Sequence, residues 1–107
     1  MSKGKNKVVM IKMQFSPVIA KNIGVEEAIM YSNIEYWCAK NEANKKHFYD
    51  GSYWTYNTQE AFEELFPFWT RAQIRRILFK LEDKKYIKIG NYNKAKYDQT
   101  KWYSATF

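Results

Sequence analysis

The sequence has few of the residues that build disulfides, metal sites and tight loops. Among its 107 residues are one cysteine, one histidine, two prolines and four glycines. A single cysteine forms no internal disulfide, and Cys38, in an apolar helical context, is expected to be a buried core thiol. The histidine, His47, and one distant cysteine give almost no support for a metal site. We therefore predict no metal and no other cofactor.

Long apolar runs and catalytic motifs are also missing. No stretch approaches the roughly 20 apolar residues that span a bilayer, and the short apolar patch at residues 8–11 has no cleavage-like site after it. The sequence therefore predicts a soluble, cytoplasmic protein with no membrane partner. It contains no phosphate-binding loop and no serine or cysteine suitably spaced from the histidine, so we predict that the protein is not an enzyme.

Aromatic and charged residues are plentiful instead. Aromatic residues make up 19% of the chain and hydrophobic residues 46%, which argues against disorder. The length fits one small domain, whose core must be built largely from aromatic side chains. We predict a flexible basic arm over residues 1–7 and a single folded domain over residues 8–107, with no internal repeat.

The positive charge is concentrated in two parts of the chain. The formal net charge is +7, with +5 on residues 1–24, −5 on residues 25–69 and +7 on residues 70–107. Cations that served only solubility would not separate in this way. A positive C-terminal part on a compact domain is the electrostatic pattern expected for a polyanion partner.

The segment from Phe66 to Lys85 contains the clearest helix signal. Pro67 interrupts any preceding helix, and Thr70 with Gln73 forms a capping box that predicts a new helix start. Apolar residues then recur at the helical period and predict one buried stripe. The stripe consists of Ile74, Ile77, Leu78 and Leu81.

The remaining faces of this helix are cationic, with Arg71, Arg75, Arg76 and Lys80. A helix that is buried on one side and cationic on the others, and that follows a shorter helix and a short turn, suits the recognition helix of a helix-turn-helix. The simpler alternative is a solvated basic face on an ordinary amphipathic helix.

Local signals predict the other elements. Ser16 before Pro17 caps a short helix, and Asn57 with Glu60 gives a second capping box. The buried face of the longest helix is expected to contain Ala28, Ile29, Ile34, Trp37 and Cys38, broadened by Met30, Tyr31 and Tyr36. In chain order we predict a lead-in over residues 8–15, helices over 17–21 and 25–41, a polar loop over 41–50, a strand over 52–56, a helix over 57–65, the helix from residue 70, and strands over 86–90 and 102–107.

The last two predicted strands flank a basic loop, residues 91–100, and would form a β-hairpin wing. The element order predicts an α+β fold: a single winged helix-turn-helix domain, mainly helical, with the wing at its C-terminal end. Arginine suits a recognition helix because its planar fork pairs with guanine or with phosphate. The candidate DNA-binding residues are Thr70, Arg71, Arg75, Arg76, Phe79, Lys80, Lys94 and Lys96.

Several motifs carry a resemblance to a known family: IGVEEAI at residues 23–29, YW at 36–37, DG-x-x-WTYNT at 50–58, FPFWT at 66–70, GNYNK at 90–94 and KWY at 101–103. Together they resemble the winged-helix domains of phage and mobile-element replication proteins of low-GC Gram-positive bacteria, often the N-terminal part of a replisome organiser. The resemblance implies duplex DNA binding in replication or its regulation, with a replication or host protein as a possible second partner. Because the chain ends at Phe107, we expect the helicase-recruiting region of the longer members to be absent.

Two other functions stay open. A single-strand binder stacks unpaired bases on exposed rings beside lysines, for which the candidates are Trp69, Phe79, Tyr92 and Tyr97. A phage-encoded module that inhibits or adapts a host protein would instead use exposed aromatic residues and the acidic middle segment. The sequence fits a monomer or a homodimer, since no heptad pattern or additional helix specifies an oligomer.

Overall fold

The computed structural model describes residues 13–106, which contain four helices and two small antiparallel sheets. The predicted α+β class is confirmed. The predicted arm over residues 1–7 and most of the predicted lead-in lie outside the described residues. The elements are α1 (Pro17–Ile23), α2 (Val25–Ala43), β1 (Phe48–Tyr49), β2 (Ser52–Tyr53), β3 (Thr55–Asn57), α3 (Gln59–Leu65), α4 (Arg71–Asp83), β4 (Ile87–Gly90) and β5 (Lys101–Ala105).

Side-chain caps start three of the helices. Ser16 Oγ accepts a hydrogen bond from the amide of Ile19, as predicted. At α4 the predicted capping box is confirmed, because the Gln73 amide donates to Thr70 Oγ1 at 3.1 Å and the Thr70 amide donates to Gln73 Oε1 at 2.8 Å.

The predicted cap of α3 was wrong by one residue. The amide of Ala61 donates to Thr58 Oγ1 at 3.1 Å, so Thr58 and not Asn57 is the N-cap. Asn57 is still part of strand β3, where it pairs with Lys101. Strand pairing therefore delays the helix start by one residue.

The three-stranded sheet has the order β3-β5-β4, and all of its strands are antiparallel. The predicted C-terminal hairpin is confirmed: β4 and β5 pair from Ile87 opposite Ala105 to Gly90 opposite Trp102. Residues 91–100, the β4–β5 loop, join the two strands. Strand β3 covers the other side of β5, so the loop extends from the end of the sheet at which α3 begins.

The second sheet is a short hairpin of β1 and β2 that the sequence does not predict. Residues 48 and 49 fall in the predicted polar loop, but Phe48 pairs with Tyr53 and Tyr49 with Ser52. Asp50 and Gly51 are the two central residues of the turn, with φ of 51° and 77°, as the primed turns of tight hairpins require.

The core lies between α2, α4 and the three-stranded sheet. The four predicted stripe residues of α4 are all buried. Phe66 and Trp69, in the α3–α4 turn, are also buried, with ring centroids 4.8 Å apart, whereas Phe68 is exposed. The two buried rings fill the space between α3 and α4.

Helix α2 buries a narrower face than predicted. Tyr31, Ile34 and Cys38 are buried, but Tyr36 and Trp37 are 58% and 38% exposed. The prediction was wrong for these two rings because the helical period turns them away from the one core that α2 contacts. Among residues 13–106, no helix is both long and apolar enough to cross a membrane.

Candidate nucleic-acid interface

The side of α4 opposite its buried stripe is exposed and bears cationic residues. Arg75, Arg76 and Phe79 all lie there, together with Ala72. Phe79 is 67% exposed, although a phenyl ring has no polar group that water could hydrate. Within residues 13–106, Arg75 makes no ion pair. Its charge is therefore available to a ligand.

Arg71 is held by acidic residues of α3. Its Nε donates to Glu63 Oε2 at 2.8 Å and its Nη2 donates to Glu63 Oε1 at 3.2 Å, with Glu60 Oε2 at 3.4 Å. The hydrogen bond lowers the pKa of the Glu63 carboxyl and raises the pKa of the Arg71 guanidinium. Arg71 therefore joins the start of α4 to α3 and presents less free charge than Arg75.

Two further cations of α4 face the start of α2. Arg76 Nη2 lies 3.5 Å from Glu26 Oε1, and Lys80 Nζ lies 4.0 Å from Glu27 Oε2. From the sequence these adjacent acids fit capping or solvated roles, but Glu27 is only 4% exposed, which corrects that interpretation. Both pairs are loose, and Arg76 and Lys80 remain about half exposed.

Gly24 makes room for the buried carboxylate of Glu27. Its φ of 124° is a conformation that residues with a Cβ rarely adopt. A Cβ added there would overlap Glu27 Oε1 and would lie 3.9 Å from Lys80 Nζ. The junction between α1 and α2 is therefore fitted closely to the Glu27–Lys80 pair.

The β4–β5 loop is organised around Asn93. Its Nδ2 donates to the carbonyls of Asp98 and Thr100 at 3.0 and 2.7 Å, and its Oδ1 accepts from Trp102 Nε1 at 2.8 Å. The Thr100 amide donates to Asp98 Oδ1, which lowers the pKa of that carboxyl. These bonds fix the base of the loop and leave its middle exposed.

The exposed part of this loop is basic. Lys94, Lys96 and Tyr97 project from it, and Tyr97 is 88% exposed. Lys101, which follows the loop, is also exposed and was missed as a site residue, although its place at the start of a strand after a basic loop could have indicated it. The loop therefore adds a second group of cations to that of α4.

A cleft brings the start of α4 next to this loop. It has a volume of about 330 Å³ and is lined by Arg71, residues 57–60 and residues 98–101. The structure thus places the first turn of α4 and the base of the β4–β5 loop on one side of the molecule. Glu60 and Asp98 also line the cleft, so an approaching anion would meet both signs of charge there.

Two of the four rings proposed to stack unpaired bases are already used within the protein. Tyr92 stacks on Tyr49 with centroids 4.6 Å apart and an interplanar angle of 7°, and its hydroxyl donates to Asp50. Trp69 is buried in the α3–α4 turn. Of that set, only Phe79 and Tyr97 are open to a base, which corrects the prediction for the other two.

The histidine and the cysteine have structural surroundings. His47 packs edge-on against Tyr56 and Trp102, with centroids 5.5 and 5.1 Å away. The Cys38 thiol is buried, donates to the carbonyl of Tyr103 and has its pKa raised by burial. No group of three or more metal-ligating side chains is found in the part of the chain that the structure describes.

Comparison of the chain with protein-family models, with curated proteins and with solved structures finds no match.

Proposed function

We propose that this protein is a winged-helix DNA-binding protein that places α4 in the major groove of duplex DNA. The β4–β5 hairpin would be the wing, with Lys94 and Lys96 at the phosphate backbone. The element order supports the proposal, because this architecture needs three helices, a strand and a C-terminal hairpin. The three helices would be α2, α3 and α4, the strand would be β3, which lies between α2 and α3, and the hairpin would be β4 and β5.

One observation carries the proposal: α4 buries its whole apolar stripe and exposes Arg75, Arg76 and Phe79, on an element whose first turn adjoins the wing. Arg76 keeps a loose surface ion pair with Glu26. Such pairs contribute little to stability, so a phosphate can replace the carboxylate at little cost. Arg71 acts differently, since it orients the helix through Glu63.

The biological setting follows from the sequence motifs. Their resemblance to phage and mobile-element replication proteins supports a role in replication or in its regulation. We propose DNA as the main partner, with a replication or host protein as a second partner. We propose no catalytic step, and none of the candidate site residues is assigned a reaction.

The proposal is tested by electrophoretic mobility shift of a 20-base-pair duplex over a salt series. We expect affinity to fall steeply with salt, with a slope of about 0.9 in log K per phosphate contact. Arg75→Ala should weaken binding and reduce that slope by about one unit. The matched control is Lys46→Ala, which removes one exposed charge from the loop before β1 and should bind as the wild type does.

Two outcomes would count against the proposal. Equal affinity of the wild type and Arg75→Ala for the duplex would show that Arg75 of α4 does not contact DNA. Tighter binding to a single strand than to a duplex of equal length would favour base stacking on Phe79 and Tyr97.

A second candidate function, a protein-interaction module, has one observation in its favour. The outer face of α2 exposes Tyr36 and Trp37 beside a groove of about 350 Å³ whose lining includes Ile29 and Leu65. Apolar and aromatic surface of this kind is common at protein interfaces. This candidate predicts that no duplex is shifted even at low salt.

A further inference from the structure

Two apolar residues, Ala72 and Phe79, form a line along the exposed side of α4. Ala72 and Phe79 are seven residues apart, so they lie almost directly above one another, two turns apart. At 1.5 Å rise per residue the separation is about 10.5 Å. Both residues are exposed, and neither belongs to the core.

Cations border this line on both sides. Arg75 lies along one edge of it, and Arg76 and Lys80 lie along the other, as the helical period places them. Arg75 and Arg76 lie one turn before Phe79, and the exposed acids Glu82 and Asp83 lie one turn after it. A phenyl ring beside guanidinium groups is a poor surface for an apolar protein partner, because covering it would also desolvate the charges. It is well suited to a polyanion that presents an apolar group between its charges.

The DNA major groove presents one such group, the C5 methyl of thymine. A phenyl ring or an alanine methyl cannot pair with the polar edges of bases, whereas both can cover a thymine methyl. The flanking arginines can bind guanine edges or phosphates at the same time. Base pairs are spaced about 3.4 Å apart, so a separation of about 10.5 Å corresponds to about three base pairs.

We infer that Phe79 and Ala72 read thymine methyl groups about three base pairs apart. The inference rests on the proposed function and names the base feature that α4 recognises. Phe79 supplies the larger contact because its ring has more surface to cover. Arg75 and Arg76 hold the helix in the groove.

The test compares one duplex with and without its thymine methyl groups. A 20-base-pair duplex is first selected from a random pool by binding to the full chain, and it is then synthesised with thymine or with uracil at every thymine position. Fluorescence anisotropy measures the affinity of each form. We expect the uracil form to bind less tightly, by about fourfold for each methyl group that α4 covers.

Variants assign that difference to a residue. Phe79→Ala should bind the two forms with more nearly equal affinity. Tyr97→Ala, which removes an exposed ring of the wing, is the matched control and should keep the full ratio even if its overall affinity falls. The ratio is informative because a general loss of stability or charge would weaken both forms equally.

Three results would overturn the inference. Equal affinity of the wild type for the two forms would refute methyl reading while leaving duplex binding intact. An unchanged ratio of the two affinities in Phe79→Ala would show that Phe79 does not contact the methyl groups. Absence of binding to any selected duplex would refute the proposed function itself, and the inference with it.

Discussion

Arg71 donates through its Nε to Glu63 at 2.8 Å, so the most N-terminal cation of α4 is bound to α3 before any ligand arrives. The pair has two consequences. It sets the position of α4 relative to α3, and it opposes the use of Arg71 as a DNA contact. Glu63 would therefore compete with a DNA phosphate for the Arg71 guanidinium.

We expect Glu63→Gln to increase the affinity for duplex DNA. The substitution removes a negative charge near the interface and releases Arg71, so the salt dependence should become steeper by about 0.9 in slope if Arg71 then binds one phosphate. Mobility shifts at several salt concentrations measure both quantities. Glu64→Gln is the control, because Glu64 makes no ion pair within the described residues. A slope that rises equally in both variants would contradict the specific release of Arg71.

The same pair predicts a pH dependence of stability. The folded-state pKa of Glu63 is lowered, so ionised Glu63 stabilises the fold above its unfolded pKa, and this contribution is lost as the pH falls through the folded pKa. Thermal unfolding of the wild type and Glu63→Gln should therefore differ above about pH 5.5 and converge in more acidic buffer. A difference that grows on acidification would show that the carboxyl is not stabilised by Arg71.

The two sides of α4 should respond very differently to truncation. Ile77 is fully buried, so Ile77→Ala should cost about 2–5 kcal/mol of unfolding free energy. Phe79 lies on the opposite side, and Phe79→Ala should stay within about 0.5 kcal/mol of the wild type. Urea denaturation measures both values. A large cost for Phe79→Ala would show that its ring packs within the fold and would remove it from the interface.

Asn93 should be the most sensitive polar residue of the β4–β5 loop. Asn93→Ala leaves the buried Trp102 Nε1 without its partner and releases two carbonyls, so we expect the unfolding free energy to fall by about 1–3 kcal/mol. Hydrogen exchange should also become faster in residues 94–100. Gln99→Ala, an exposed change in the same loop, should alter unfolding by less than about 0.5 kcal/mol. Equal effects of the two changes would show that Asn93 does not organise the loop.

The sequence predicted those features that depend on neighbouring residues. The Thr70 capping box and the α4 stripe are set by spacings of three to seven residues, which a single chain displays directly. The hairpin of β4 and β5 was predicted for the same reason, since alternation marks each strand. The prediction of Asn57 as the cap of α3 failed because Asn57 pairs with Lys101, a residue far away along the chain.

Features that depend on distant pairing were not predictable from the residues alone. Tyr92 stacks on Tyr49, and Arg71 donates hydrogen bonds to Glu63. No local sequence pattern indicates either contact. Glu27 resembles a solvated acid at a helix start, and its burial beside Gly24 and Lys80 depends on tertiary packing. The two-residue strand β1 is too short to show any period.

Gly24, in the connection between α1 and α2, affects the charges on the exposed side of α4 through Glu27 and Lys80. Any larger residue there must displace the Glu27 carboxylate, and Lys80 would then lose its neighbour. A substitution in the connection between the first two helices would therefore alter the electric field along the exposed side of α4, although no residue of that helix is changed. Substitution of this one glycine is therefore an indirect way to change the charge that α4 presents, and with it the affinity for DNA that we propose.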